Sequence, residues 1–162
     1  MICVSAIGYR YTFLKTHIPY ICNMATKHTI LYAEDDLDDV YILKQAFNKY
    51  SNAVNIAHAR DGFETLQMLQ ELQAANQLPC LIVLDINMPG MDGRETLMRI
   101  KSDDTYKHIP VVLFTTSSSP LDKAFAEEWQ VAFVTKPSVF AEFELLAKKF
   151  MELSGIEIPQ QA

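Results

Sequence analysis

The sequence alternates five times between a short apolar run and a longer segment with apolar residues at helical spacing. The short runs are rich in β-branched, leucine and aromatic residues, as expected of strands, and polar or turn-forming residues separate the segments. Strands that alternate with helices favour a parallel sheet covered on both faces, with right-handed connections. The chain is therefore predicted to be an α/β protein, a doubly wound sandwich around a five-stranded parallel sheet. The predicted strands are His28–Ala33, Val54–Ala59, Leu81–Leu84, Pro110–Thr115 and Val131–Val134, and the predicted helices begin near Asp36, Asp61, Gly93, Pro120 and Ser138.

Length and charge limit the function classes. The chain has 162 residues, enough for one domain with one core, and a net charge of −6. Its basic residues form no Lys/Arg run, which argues against a nucleic-acid partner. No apolar run approaches the roughly 20 residues of a membrane-spanning helix. The three cysteines lack metal-ligand spacing, which is typical of a reducing compartment. We therefore expect a cytoplasmic protein.

The predicted domain covers residues 27–153. Before it, residues 1–26 open with a mildly apolar run that Arg10, Lys15 and His17 interrupt before it reaches the length of a signal-peptide core. Met24 offers a natural start just ahead of the first strand. We expect residues 1–26 to be an N-terminal extension, either disordered or the product of a wrongly chosen start codon. We expect residues 154–162 to form a C-terminal tail.

The third strand ends on a carboxylate. Its four residues are all apolar, as in a strand buried on both faces, and Asp85 follows directly. Pro89 and Gly90 then mark a turn. Open α/β folds bind ligands at the carboxyl ends of their strands. On this stretch alone two interpretations stay open: Asp85 caps a loop, or it belongs to a binding site.

The other strand ends favour a site. Carboxylate oxygens at one sheet edge suit Mg²⁺, which would screen their mutual repulsion and leave one carboxylate able to act as a nucleophile. An ammonium and a hydroxyl at the same edge could hold the oxygens of a phosphoryl group. The pattern therefore predicts a phosphoryl-acceptor site. Its members are Glu34 and Asp35 after the first strand, Asp85 after the third, Thr115 after the fourth and Lys136 after the fifth.

The acids that follow Asp35 have a sufficient structural explanation. Asp36, Asp38 and Asp39 lie in the first turn of a predicted helix, where the helix dipole favours negative charge. We therefore leave them outside the predicted site.

Together, these motifs resemble the receiver domain of two-component response regulators. The resemblance spans about Lys27 to Leu153 and rests on Glu34-Asp35, Asp85-Ile-Asn-Met-Pro-Gly-Met-Asp-Gly93, Thr115 and Lys136-Pro137. It implies a flavodoxin-like fold with strand order 2-1-3-4-5. It also implies that Asp85 accepts a phosphoryl group from a sensor or hybrid histidine kinase. The implied Mg²⁺ ligands are Glu34, Asp35, Asp85 and the backbone carbonyl of Asn87.

The resemblance further implies a conformational switch. Thr115 would move toward the phosphoryl group, with Phe133 turning inward behind it, and Lys136 would pair with the phosphoryl oxygens. Pro137 would follow Lys136 through a cis peptide bond. The fourth helix, the fifth strand and the last helix would then present the output surface.

The implied role is that of a single-domain regulator, not of an enzyme, with self-catalysed phosphotransfer and dephosphorylation. Its output partner would be a downstream protein target or a phosphotransfer protein. Similar stand-alone regulators pair with phytochrome-type or other hybrid kinases, and some form homodimers through the fourth-helix face.

Two rival functions fit the sequence less well, and a third stays possible. A dehalogenase-type phosphatase needs a second aspartate two residues after its nucleophile, where this chain has Asn87. A flavin carrier of flavodoxin type needs a Ser/Thr/Gly phosphate loop after the first strand, where this chain has acids. The third rival, a phosphorylation-independent pseudo-receiver that serves as an interaction module, stays open as the alternative.

Overall fold

The computed structural model describes residues 27–156, so the predicted N-terminal extension and residues 157–162 lie outside the described residues. Five strands alternate with five helices, and one turn of 3-10 helix, Asn48–Tyr50, follows the first helix. The strands are β1 (His28–Ala33), β2 (Val54–Ala59), β3 (Leu81–Leu84), β4 (Val111–Thr115) and β5 (Ala132–Thr135). The helices are α1 (Leu37–Ala46), α2 (Gly62–Ala74), α3 (Gly93–Ser102), α4 (Pro120–Glu128) and α5 (Phe140–Leu153).

The sheet is parallel throughout and has the order β2-β1-β3-β4-β5. The α/β class, the doubly wound sandwich and the predicted strand order are confirmed. The register pairs Ala33 of β1 with Leu84 of β3, and Thr115 of β4 with Thr135 of β5. The residues that follow these strands therefore meet at one edge of the sheet.

Two apolar layers enclose the sheet. Alternate residues of β1 show the division, because Ile30 and Tyr32 face one layer whereas Leu31 and Ala33 face the other. The first layer is completed by α1 and α5, and Phe114 of β4 stacks edge-on against Phe143 and Phe150 of α5. The second layer is completed by α2, α3 and α4. The sheet is therefore enclosed on both faces, and its central strand β3 is buried along its whole length.

Side-chain caps fix where the helices leave that edge. Asp36 accepts hydrogen bonds from the backbone N–H groups at the start of α1, and Asp61 and Asp92 do the same for α2 and α3. Ser119 caps α4, and the helix begins at Pro120, which is its predicted start. Among the helices of residues 27–156, none is long and apolar enough to cross a membrane.

The structure differs from the sequence-based elements in small ways. The last helix begins at Phe140 instead of Ser138, and its N-cap residue, Val139, supplies no side-chain hydrogen bond. Ile156, in the predicted tail, is buried in the layer formed with α5.

The predicted cis bond before Pro137 is wrong. All peptide bonds of the described residues are trans, including Lys136–Pro137. Trans is the intrinsically favoured form of a bond to proline, by about 0.5–1 kcal/mol. The trans chain still satisfies the backbone, because Lys136 N–H donates to Thr115 O at 2.9 Å.

Candidate functional site

Lys136 lies at the centre of the acidic edge. Its Nζ lies 2.5 Å from Glu34 Oε2, 2.8 Å from Asp39 Oδ2 and 3.3 Å from Asp85 Oδ1. The side chain is only 7% exposed and lies over the ring of Phe114. Burial would lower the pKa of Lys136, but its hydrogen bonds to Asp39 and Glu34 and the charge of Asp85 outweigh burial and raise the pKa. The ammonium is therefore charged at any physiological pH.

Glu34 is a buried carboxylate with three hydrogen-bond donors. Its side chain is 2% exposed, and it accepts from Tyr32 Oη at 2.8 Å and from Asp36 N at 3.2 Å in addition to Lys136. Burial raises the pKa of Glu34, while Lys136 and the Tyr32 hydroxyl act in the opposite direction. Tyr32 therefore orients a carboxylate that the end of β1 delivers to the edge.

Asp85 follows the central strand β3 and is 4% exposed. One carboxylate oxygen, Oδ1, faces Lys136, and the other accepts a 2.7 Å hydrogen bond from Asn87 N. The backbone behind it is close to α3, since a Cβ placed on Gly93 would lie 2.1 Å from Asp85 O. Asp85 therefore caps the loop that follows β3 through Asn87 N and at the same time faces Lys136.

Thr115 ends β4 and is fully buried. Its Oγ1 accepts from Ser117 N at 3.2 Å and from Asn87 Nδ2 at 3.4 Å. Asn87 therefore connects the loops after β3 and β4. Phe133 of β5 is half-buried and packs against the layer formed with α2, α3 and α4.

Three carboxylates of the edge fit a divalent cation. One oxygen from each of Glu34, Asp35 and Asp85 lies within 4.8 Å of the other two. Glu34 and Asp85 are buried, whereas Asp35 is exposed and faces the solvent from which an ion would enter. Hard carboxylate oxygens at a partly open site are the donors that Mg²⁺ uses, with water completing its shell.

Two residues of the site were missed by the sequence analysis. The helix dipole accounts for an acid at position 39, yet the Asp39 carboxylate also binds Lys136. The strand pattern accounts for an aromatic residue at position 32, yet the Tyr32 hydroxyl binds Glu34. An aromatic hydroxyl two residues before a buried acid, on the same side of a strand, was the available signal for Tyr32.

Comparison with known proteins identifies the family of this chain. Residues 30–148 match the family model of the response regulator receiver domain. The chain belongs to this family. It is thus a receiver domain of a response regulator in two-component signalling, and the resemblance drawn from the motifs is confirmed.

Relatives of this receiver domain include regulators of similar length. The probable methanogenesis regulatory protein FilR2 of Methanothrix harundinacea is 30% identical over 76% of this chain and 81% of its own. The response regulator Rcp1 of Synechocystis is 34% identical over 66% of this chain and 75% of its own.

Solved structures show the same fold. The phosphorylated cyanobacterial phytochrome response regulator RcpA has a TM-score of 0.73 and 31% identity, over 83% of this chain and 100% of its own. The Mn²⁺-bound form of Rcp1 has a TM-score of 0.69 and 29% identity, over 82% of this chain and 99% of its own. In this receiver domain, Glu34, Asp35 and Asp85 form a group of carboxylates that could hold a metal ion.

Proposed function

We propose that the protein is a single-domain response regulator whose Asp85 accepts a phosphoryl group from a sensor or hybrid histidine kinase. The observation that carries the proposal is the placement of Lys136 between Glu34 and Asp85, with Asp85 oriented by Asn87 N. A nucleophilic carboxylate, an ammonium and a cluster of metal-ligating acids are the groups that phosphoryl transfer to an aspartate requires. RcpA, a regulator of the same fold, has a solved structure in its phosphorylated form, which supports the proposal.

The transfer step follows from these residues. An Asp85 carboxylate oxygen attacks the phosphorus of the kinase's phosphohistidine. The O–P bond forms as the N–P bond breaks. Because the phosphohistidine carries a proton on its other ring nitrogen, the histidine leaves as a neutral imidazole that keeps this proton. Lys136, which contacts Asp85 Oδ1 at 3.3 Å, donates to the phosphoryl oxygens. Mg²⁺ held by Glu34, Asp35, Asp85 and the carbonyl of Asn87 would neutralise the charge of the acids and of the phosphoryl oxygens.

Phosphorylation then changes the hydrogen bonds of Thr115. The new group adds up to about two negative charges and three acceptor oxygens beside a buried hydroxyl. Before phosphorylation, the Thr115 hydroxyl accepts hydrogen bonds from Ser117 N and Asn87 Nδ2. After phosphorylation it would turn and donate to the phosphoryl group, and Phe133 would fill the space that the hydroxyl leaves. The rearrangement alters α4, β5 and α5.

Exposed apolar residues support a protein-binding role for this face. Leu121 at the start of α4 is 79% exposed, Leu145 of α5 is 62% exposed, and Val139 and Phe140 before and within α5 are about half exposed. We propose that a downstream protein target or a phosphotransfer protein binds the α4-β5-α5 face, and that homodimerisation uses the same face. The cognate kinase is proposed to be of phytochrome or hybrid type, by similarity to RcpA.

The test is amide NMR of the protein with Mg²⁺, before and after the addition of beryllofluoride, which mimics a phosphoryl group on aspartate. The expected result is a set of shifts that extends from Asp85 through Thr115 and Phe133 to Lys136 and then over α4, β5 and α5. The isosteric variant Asp85→Asn should give none of these shifts. Asp104→Asn, which makes the same charge change at an exposed ion pair with Lys107, should behave as wild type.

A wild-type protein that shows no Mg²⁺-dependent response to beryllofluoride would refute the phosphoacceptor function. That result would favour the phosphorylation-independent interaction module, in which the same face binds its partner in one fixed conformation.

A further inference from the structure

A second cluster of polar groups, built around one buried carboxylate, lies beside the loop that follows Thr115. Asp122, in the first turn of α4, is 2% exposed although it carries a carboxylate. Arg94, in the first turn of α3, forms an ion pair with its Oδ1, and the Ser117 hydroxyl donates to its Oδ2 at 2.5 Å. We call these three residues the Arg94–Asp122–Ser117 network. None of them was part of the predicted site.

The network is built to hold a carboxylate in a fixed position. A buried carboxylate is costly unless donors surround it, and here both oxygens have one. Burial raises the pKa of Asp122, but the Ser117 hydrogen bond and the Arg94 charge outweigh burial and keep the pKa below its usual range. Asp122 is therefore ionised at neutral pH, and it fixes the Ser117 side chain by a charge-assisted hydrogen bond.

Ser117 passes this constraint to Thr115. Its N–H donates to Thr115 Oγ1 at 3.2 Å, and its own Oγ accepts from Ser119 N at 3.2 Å. The loop between β4 and α4 is thus tied at three points, which are Asp122, Thr115 and the start of α4. If the Thr115 hydroxyl turns away, the Ser117 N–H loses its acceptor unless the loop moves as well. The Asp122 hydrogen bond opposes that movement.

We propose that Asp122, held by Arg94, is a positioning residue that keeps Thr115 in its resting conformation through Ser117. The inference rests on the proposed function, because it assigns to the network a share of the free energy that separates the resting from the phosphorylated conformation. Breaking the network removes that share. A ligand that selects the switched conformation then binds more tightly by the corresponding factor.

The experiment measures the affinity for beryllofluoride at saturating Mg²⁺ in the full-length protein. Ser117→Ala and Asp122→Asn are each expected to bind it about tenfold more tightly, the value of one hydrogen bond to a charged group. The double variant should bind no more tightly than the stronger single variant, since both changes break the same connection. The affinity for Mg²⁺ alone should stay at the wild-type value, which a general loosening of the fold would not allow.

Two matched controls separate the network from its surroundings. Ser118→Ala removes a hydroxyl from the next residue of the same loop, which is exposed. Arg99→Met removes an exposed arginine of α3 that pairs with Glu95, whereas Arg94→Met breaks the network. We expect Arg94→Met to behave like Asp122→Asn and both controls to behave like wild type.

A second readout does not depend on phosphoryl chemistry. In the metal-free protein, the methyl signal and χ1-dependent couplings of Thr115 should show a departure from the wild-type rotamer in Ser117→Ala and none in Ser118→Ala. If beryllofluoride affinity and the Thr115 signal both match the controls, the inference is wrong. If the wild type does not respond to beryllofluoride at all, the proposed function fails, and the Thr115 signal alone decides whether the network positions that residue.

Discussion

At Gly93, the absence of a side chain determines where Asp85 can lie. A Cβ at this position would be 2.1 Å from Asp85 O and 2.9 Å from the Cα of Ile86, both backbone atoms that cannot rotate away. Helix propensity alone would favour alanine by up to about 1 kcal/mol. We expect the overlap to prevail, so that Gly93→Ala lowers the free energy of unfolding by about 1–3 kcal/mol in urea titrations and shifts the Asp85 amide signal.

Gly155→Ala is the control for this prediction. Gly155 has φ +71° and open space around its Cα, so alanine there introduces backbone strain without a contact. It should cost stability and leave the Asp85 signal in place. An unshifted Asp85 signal in Gly93→Ala would show that the backbone near Asp85 does not need the glycine.

The hydroxyl of Tyr32 is expected to support metal binding by orienting Glu34. The ring is buried against Phe114, so Tyr32→Phe keeps the packing and deletes only the 2.8 Å hydrogen bond to Glu34. Removing a side chain that orients a metal ligand weakens metal binding, so we expect Tyr32→Phe to lower the affinity for Mg²⁺ about tenfold. Calorimetric titration with Mg²⁺ should show this decrease. Tyr41→Phe, at an exposed tyrosine of α1, should leave the Mg²⁺ affinity unchanged. If Tyr32→Phe and Tyr41→Phe bound Mg²⁺ equally well, Tyr32 would not orient Glu34 for metal binding.

At the scale of elements, the ion pair between Arg94 and Asp122 joins the first turns of α3 and α4. The pKa of Asp122 is lower in the folded protein than its ordinary value of 3.8, so its charged form stabilises the fold. That contribution is complete above the pKa of the unfolded chain and is lost as pH falls through the folded pKa. Asp122→Asn should therefore cost about 1–2 kcal/mol at pH 7 and progressively less in acid.

Urea unfolding of wild type and Asp122→Asn at several pH values between neutrality and about pH 3 measures this difference. Asp104→Asn is the reference for an acid that is exposed and paired with Lys107. A difference between wild type and Asp122→Asn that stays constant with pH would mean that the carboxylate charge is not what stabilises the α3–α4 contact.

The elements themselves were the most predictable part of the molecule, because each is encoded by nearby residues. The all-apolar β3 and the aspartate caps of α1, α2 and α3 are local signals, and the alternation of strands and helices leads to the parallel sheet. The 3-10 turn at Asn48–Tyr50 carries no such signal and was missed. The strand order came from the family resemblance.

The same distinction applies to the site. Glu34, Asp85, Thr115 and Lys136 converge because parallel strands end at one edge, which topology alone predicts. Contacts that depend on how a helix sits against its neighbours were not predictable from spacing. Asp39 reaches Lys136 from α1, and Arg94 reaches Asp122 across 28 positions of sequence.

At the scale of the whole molecule, Lys136 balances part of the excess of acidic groups. The protein has a net charge of −6, and two carboxylates in contact with Lys136, those of Glu34 and Asp85, are almost fully buried. Within residues 27–156 and without metal, the cation that contacts Glu34 and Asp85 is Lys136. Lys136→Met should therefore lower the free energy of unfolding in EDTA by about 3–5 kcal/mol, the cost of leaving a buried charge unpaired.

Mg²⁺ should recover part of that loss, since it binds the same acids. In wild type, binding to the folded state alone adds about 2.7 kcal/mol at a hundredfold excess over the dissociation constant. The gain should be larger in Lys136→Met, where no ammonium competes for Glu34 and Asp85, and thermal unfolding with Mg²⁺ or EDTA at matched ionic strength measures it. Lys107→Met, which removes an exposed lysine paired with Asp104, should respond to Mg²⁺ as wild type does. If Mg²⁺ stabilised Asp85→Asn as much as wild type, its binding would be a general effect of surface charge, and the cluster of Glu34, Asp35 and Asp85 would not be the metal site.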